Sequence, residues 1–139
     1  MIRWNYEMFT SMHSGREGVT ELEHKITKKL ETLQGTAAYA KVVMTNIVGG
    51  SARAVVYYPE PVSVPSIPAG RSISEWVKVD VNTIADASET ERYKEEMYQE
   101  ILDLLNALSG HQAILSKLSA TAYRDGYATL TLWYPETVS

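Results

Sequence analysis

Near the start of the chain, Ile2, Trp4, Tyr6 and Met8 alternate with Arg3, Asn5 and Glu7. A period of two sends the first set to one side of a β-strand and the second set to the other. The pattern then changes. Val19, Leu22, Ile26, Leu30 and Leu33 step by three or four residues, which lines one face of an α-helix. Two further apolar runs, 39–48 and 52–58, flank Gly49-Gly50. A glycine pair suits a tight hairpin turn that needs positive φ. Pro59 closes the second run, because proline has no N–H to give to a ladder. The first 63 residues therefore read strand–helix–strand–strand.

The same order then returns. Val77, Val79 and Val81 alternate with Lys78, Asp80 and Asn82, and Tyr93, Met97, Ile101, Leu104, Leu105 and Leu108 form a second helical stripe. Runs 114–123 and 127–134 flank Asp125-Gly126, and Pro135 ends the last of them. The two copies also match residue by residue. Ala52–Ser63 and Ala128–Ser139 agree at six of twelve positions, among them Tyr58/Tyr134, Pro59/Pro135 and Glu60/Glu136. Lys41 and Gly50 match Lys117 and Gly126 at the same offset of 76, and Ile26, Leu30, Leu33 and Gly35 match Ile101, Leu105, Leu108 and Gly110 at 75. An ordered series of matches with one indel identifies an internal duplication.

Local signals agree with these elements. Ser88 and Glu91 have the spacing of a capping box. Gly35 and Gly110 are suited to end the helices in a left-handed conformation. Lys28 and Lys29 are placed to complement the negative end of the first helix. The expectation is one α+β domain spanning 1–139, a tandem duplication of a β-α-β-β unit with repeats 1–63 and 76–139. Residues 64–75, with two prolines and one glycine, form the link. The simplest architecture is a six-stranded antiparallel sheet with two helices on one face, related by a pseudo-twofold. The helices would cover Trp4, Tyr6, Val56, Val79, Val81 and Leu132. The other face would hold Arg3, Asn5, Arg53, Val55, Tyr57, Lys78, Asp80, Thr129, Thr131 and Trp133. A half-apolar face of that kind predicts self-association as a dimer or a multiple of dimers. Ile26→Ala and Ile101→Ala, at equivalent places, are expected to cost the same.

Composition narrows the classes. Hydrophobic residues make up 45% and charged residues 22% of the 139, values of a globular chain rather than a disordered one. No run approaches the length of a membrane span, and the alternating N-terminus is no signal peptide, so a cytoplasmic protein is expected. There is no cysteine, hence no disulfide framework or thiolate metal site. The formal charge of −4 argues against a general nucleic-acid binder. Residues 1–63 carry seven Lys/Arg against six Asp/Glu, whereas 76–139 carry five against ten. The acidic excess, mostly in 89–103, reads as a solvated helix face.

Catalytic motifs are missing. No lysine followed by serine or threonine follows Gly49-Gly50 to make a phosphate loop, and there is no Gly-x-Ser-x-Gly elbow. His13, His24 and His111 lack partners at ligand spacing. The expectation is therefore no enzyme, no metal and no cofactor. Aromatics are more informative: nine tyrosines, three tryptophans and one phenylalanine. Several lie near arginines, and a ring can stack a base while an adjacent guanidinium holds a phosphate. Core packing and surface solvation account for most individual rings and arginines. The best candidate site is in the second copy and the linker: Arg71, Trp76, Arg92 and Tyr93, with Arg53 and Arg124 beside aromatics elsewhere. Arg92 and Tyr93 fall in the first turns of the second helix, whose N-terminus favours anions.

At this length the strand–helix–strand–strand unit resembles the dodecin unit and a small sporulation-protein family of the same order. The element order of the whole chain, its size and its cysteine-free acidic composition are similar to those of phage anti-Thoeris sponges. That resemblance implies binding of cyclic ADP-ribose isomers without cleavage, in dimers or larger assemblies. Two functions follow as expectations: sequestration of a nucleotide-type signalling molecule, or a structural or assembly role, phage or sporulation, without a ligand.

Overall fold

The computed structural model describes residues 3–11, 13, 15–46, 52–60, 76–82, 90–122 and 128–136. The strands are β1 (Trp4–Thr10), β2 (Lys41–Asn46), β3 (Ala52–Pro59), β4 (Trp76–Asn82), β5 (Lys117–Ala122) and β6 (Ala128–Pro135). The helices are α1 (Gly15–Leu33), α2 (Thr90–Ala107) and the short α3 (Gly110–Leu115). The α+β class and the duplicated strand–helix–strand–strand order are as the sequence predicts. Pro59 and Pro135 are the last residues of β3 and β6. The linker 64–75, both hairpin turns and Ser88 lie outside the described residues.

Hydrogen bonding divides the strands into two antiparallel sheets of three, ordered β1-β3-β2 and β4-β6-β5, instead of the single six-stranded sheet expected. β2 and β5 lie against one another where the sheets meet. The helices also differ from expectation, because they cover opposite faces of the first sheet. Leu22 and Ile26 of α1 pack on Ala54 and Val56, with Phe9, Met44 and Tyr58 around them. The reverse face contributes Trp4, Val43, Val55 and Tyr57 to the main core, together with Met97, Tyr98, Ile101, Leu102 and Leu105 of α2. Val81, Leu130 and Leu132 of the second sheet complete that core. The halves thus share one interior, and α2 is wedged between both sheets.

The register explains where the face assignment departs from expectation. Tyr6 pairs with Tyr57 and Met8 with Val55 across β1 and β3. Paired residues point to the same side of an antiparallel sheet. Trp4 and Tyr6 therefore share the face of Val55 and Tyr57, not that of Val56. α2 also needs more than one stripe. Tyr98 and Leu102 lie beside the predicted row and are buried against the core, because α2 has a sheet on two sides.

The helix ends follow different chemistry from that predicted. α1 runs on into a 3-10 turn, Gln34–Tyr39, and does not stop at Gly35. Gly110 opens α3, where Ser109 and Gln112 form a reciprocal capping box. The last turn of α1 holds no basic residue; Lys29, a turn earlier, pairs with Glu7 at 2.9 Å. Gly18, buried near the start of α1, is needed for close approach, since a Cβ there would meet the His13 carbonyl oxygen at 2.3 Å.

Polar clasps tie the halves together. Asn106 of α2 accepts from the Trp4 backbone N–H at 2.7 Å and donates to its carbonyl at 3.3 Å. The side chain thereby occupies edge groups of β1 that another strand would otherwise pair with. The Tyr57 hydroxyl donates to the Tyr98 carbonyl at 2.8 Å. Burial pushes its phenol far above the ordinary tyrosine range, so it remains a neutral donor. Tyr57→Phe removes that donor and is expected to cost about 1–2 kcal/mol, seen in urea titration as a lower midpoint at unchanged slope. A change below a few tenths would mean that the bond contributes nothing.

Candidate functional site

The two sheets use equivalent faces differently. At the offset of 76, Lys41, Val43, Val55 and Tyr57 correspond to Lys117, Ser119, Thr131 and Trp133. Trp4 and Trp76 each open the first strand of their copy. In the first copy this face is interior: Trp4, Val43, Val55 and Tyr57 are all at or below 5% exposure. In the second copy it is open, with Trp76 at 40% and Trp133 at 39%. Hydroxyl residues stand where the first copy has valines, as a water-facing surface requires.

Strand register builds the site on this open face. Lys78 of β4, Trp133 of β6 and Lys117 of β5 are directly paired across the three strands. Trp76 pairs with Pro135, which sets it diagonally beside Trp133 on the same face. Trp76, Lys117 and Trp133 line a shallow concavity of about 340 Å3. The Lys78 ammonium lies 5.8 Å from the centre of the Trp133 ring, and that of Lys117 lies 5.7 Å from the centre of the Trp76 ring. These are cation–π distances.

The two lysines differ. Lys78 pairs with Asp80 at 3.2 Å, and the Thr131 hydroxyl donates to the same carboxylate at 2.7 Å. The Thr131 hydrogen bond, with help from Lys78, holds the Asp80 carboxyl below its ordinary range. Lys117 has no carboxylate partner among the described residues. The face thus offers two flat indole surfaces, one cation open to an anion, and hydroxyls around them. Such a set can stack a planar ring and hold an attached negative group.

A second concavity, lined by residues of β1 and by Lys25, Lys28, Lys29 and Thr32 of α1, is basic but largely self-satisfied. Lys25 donates to the Thr10 carbonyl at 3.0 Å and pairs with Glu21 at 3.2 Å. Lys29 is held by Glu7 and lies 4.3 Å from the centre of the Tyr58 ring. Among the described residues no group of three metal-ligating side chains converges, and no helix is long and apolar enough to cross a membrane.

Of the residues expected at a site, Trp76 is on the open face. Arg53 is not on a surface: its side chain is 4% exposed on the interior face of β3, because the first sheet is covered on both sides. Arg92 and Tyr93 lie in α2, but their side chains, like Arg71 and Arg124 altogether, lie outside the described residues. Sequence reasoning missed Lys117 as a site residue. The signal was available in the duplication itself, since lysine stands at the same place in both copies, in register with an aromatic each time. No protein-family profile, curated protein or solved structure matches the chain.

Proposed function

We propose that this protein is a non-catalytic binding protein that takes a nucleotide-type small molecule on the open face of the second sheet. The observation that carries the reading is the Trp76–Lys117–Trp133 concavity, where two exposed indoles flank a lysine that has no carboxylate partner among the described residues. A base stacks on Trp133 or Trp76, and Lys117 takes the phosphate. Ion-paired Lys78 and hydroxyl-bonded Asp80 border the ring edge. Reaction chemistry is not required of the site, whose role is to hold the molecule and lower its free concentration.

The test is titration of tryptophan fluorescence, backed by calorimetry, with adenosine monophosphate, cyclic ADP-ribose isomers and cyclic dinucleotides. Saturable quenching is the expected result. Stacking on one aromatic contributes about 1–3 kcal/mol, so Trp133→Ala should weaken binding about tenfold or more. Lys117→Gln should weaken nucleotides but not the matching nucleosides. Wild-type affinity in Trp133→Ala, or no binding of any of these ligands, would remove the reading.

A further inference from the structure

The face of Val55, Tyr57 and Trp133 expected to carry a dimer does not exist as a surface, since Val55 and Tyr57 are fully buried. A different interaction surface lies at the outer edge of the first sheet. β1 is hydrogen-bonded to β3 alone, so one row of its backbone groups faces away from the sheet. In an antiparallel strand both backbone groups of a residue point the same way, and successive residues alternate. The Asn106 clasp shows that Trp4 is turned outward. The bond from Lys25 to the Thr10 carbonyl shows the same at the other end. Met8, between them and in phase with both, is therefore also turned outward. Its N–H and C=O have no partner among the described residues.

The edge does not face open water. Beside it runs α1, and the groove between them has a volume of about 650 Å3. Met8 and its neighbours form one wall, and Lys25, Lys28 and Lys29 form the other. Positions three and four apart share a helix face, so these three lysines make one basic flank. Lys25 is paired with Glu21, and Lys29 with Glu7. Lys28 is exposed and has no carboxylate partner among the described residues. Three ammonium groups against two carboxylates leave one positive charge uncompensated. The second repeat has the opposite sign there, because Lys25 and Lys28 correspond at the offset of 75 to Glu100 and Asp103.

We propose that the groove between β1 and α1 binds an extended acidic peptide, which adds as a fourth strand to the first sheet opposite Met8 and sets a carboxylate against Lys28. Strand addition to an exposed edge gives affinity through main-chain hydrogen bonds and specificity through alternate side chains. The edge supplies a donor and an acceptor together, which suits a peptide backbone; a simple anion would use the donor only. The lysines select the sign of the side chains on the α1 side. Asn106 and Lys25 close the two ends and leave about five residues of edge between them, an ordinary strand length. The groove is lined by the first repeat alone, so this binding is independent of the nucleotide reading.

The probe is a fluorescein-labelled, end-blocked octapeptide of alternating valine and glutamate, followed by anisotropy. Saturable binding is expected, with none for the same peptide carrying lysine in place of glutamate. Lys28→Glu, at an exposed position and checked for native circular dichroism, should weaken binding about tenfold or more. Methylating alternate peptide nitrogens, in either phase, keeps the charge and removes donors; the phase that faces β1 should abolish binding. Hydrogen exchange of the Met8 amide should slow about tenfold or more in the complex, as a newly bonded edge requires. No saturable binding, wild-type affinity in Lys28→Glu, full affinity in both methylated phases, or an unchanged Met8 amide overturns the proposal. A wild-type mass in light scattering that rises with concentration, and falls to the monomer in Lys28→Glu, would give the groove to a second copy and overturn it as well.

Discussion

Ile101→Ala should destabilise the protein by about 4 kcal/mol, roughly twice the loss from Ile26→Ala, although the two isoleucines are equivalent in the duplication. Truncating a buried isoleucine costs about 2–5 kcal/mol, and more where the surroundings cannot collapse into the space. Ile101 is fully buried and has a sheet on either side of its helix, within the larger core. Ile26 keeps 8% exposure and belongs to the smaller cluster under α1, where a helix on the outside of the molecule can settle inward. Against a typical stability of about 5–15 kcal/mol, the Ile101 variant should lose a large share of its folding free energy. Urea titration of both variants decides the matter. Equal losses would mean that the halves are energetically alike and that α2 is not the shared wedge.

Stability should rise with pH through the window set by Lys41, and Lys41→Met should abolish that rise. Lys41 is 9% exposed and supplies two backbone carbonyls of the second half with hydrogen bonds. Desolvation lowers its pKa to about 8, against about 10.4 for an unfolded lysine. Below the folded value both states carry the proton, and the native state bears the full cost of the buried charge. Between the two values the unfolded chain still binds the proton and the folded chain does not, so stability increases with pH. The relief amounts to at most about 3 kcal/mol, from the difference between those two pKa values. The neutral amine keeps its hydrogens for the Ile114 and Ser116 carbonyls, so the clasp survives the loss of charge. The comparison is the denaturation free energy of wild type minus that of Lys41→Met, measured from pH 7 to 10.5. A flat difference would show that the ammonium is better solvated than its burial implies.

Much of the secondary structure was legible because each element obeys its own period. The duplication, the helix stripes through Ile26 and Ile101, and the proline-ended strands need only local rules. The break between the sheets was not legible, since it depends on how β2 and β5 meet. The placement of the helices on opposite faces of the first sheet had a signal that single-element patterns hide. β3 reads Ala-Val-Val-Tyr-Tyr, apolar on both sides, whereas β6 reads Thr-Leu-Thr-Leu-Trp, alternating. A continuous apolar run marks a strand covered twice. In the same way α2 carries Tyr98 and Leu102 where α1 carries Glu23 and Thr27, the difference between a helix with two neighbours and a helix with one. Comparing the copies with each other carries more information about the site than reading either alone. Arg53 illustrates the limit of reading one alone, since proximity to an aromatic in sequence cannot tell an open face from a closed one.

The shared interior also has a consequence for synthesis. Chain growth from the N-terminus completes the first sheet at Pro59, before α2 (Thr90–Ala107) exists. Until the ribosome has added those residues, the Trp4–Val55–Tyr57 face has nothing to cover it, and β1 lacks the Asn106 side chain that occupies its edge. Tens of residues separate the sheet from its cover, a long-range closure that is slow relative to local folding. During that interval an apolar face and an open strand edge are both available to other nascent chains. A strong ribosomal pause soon after the first repeat has emerged would lengthen that exposure, while fast translation through the second repeat would shorten it.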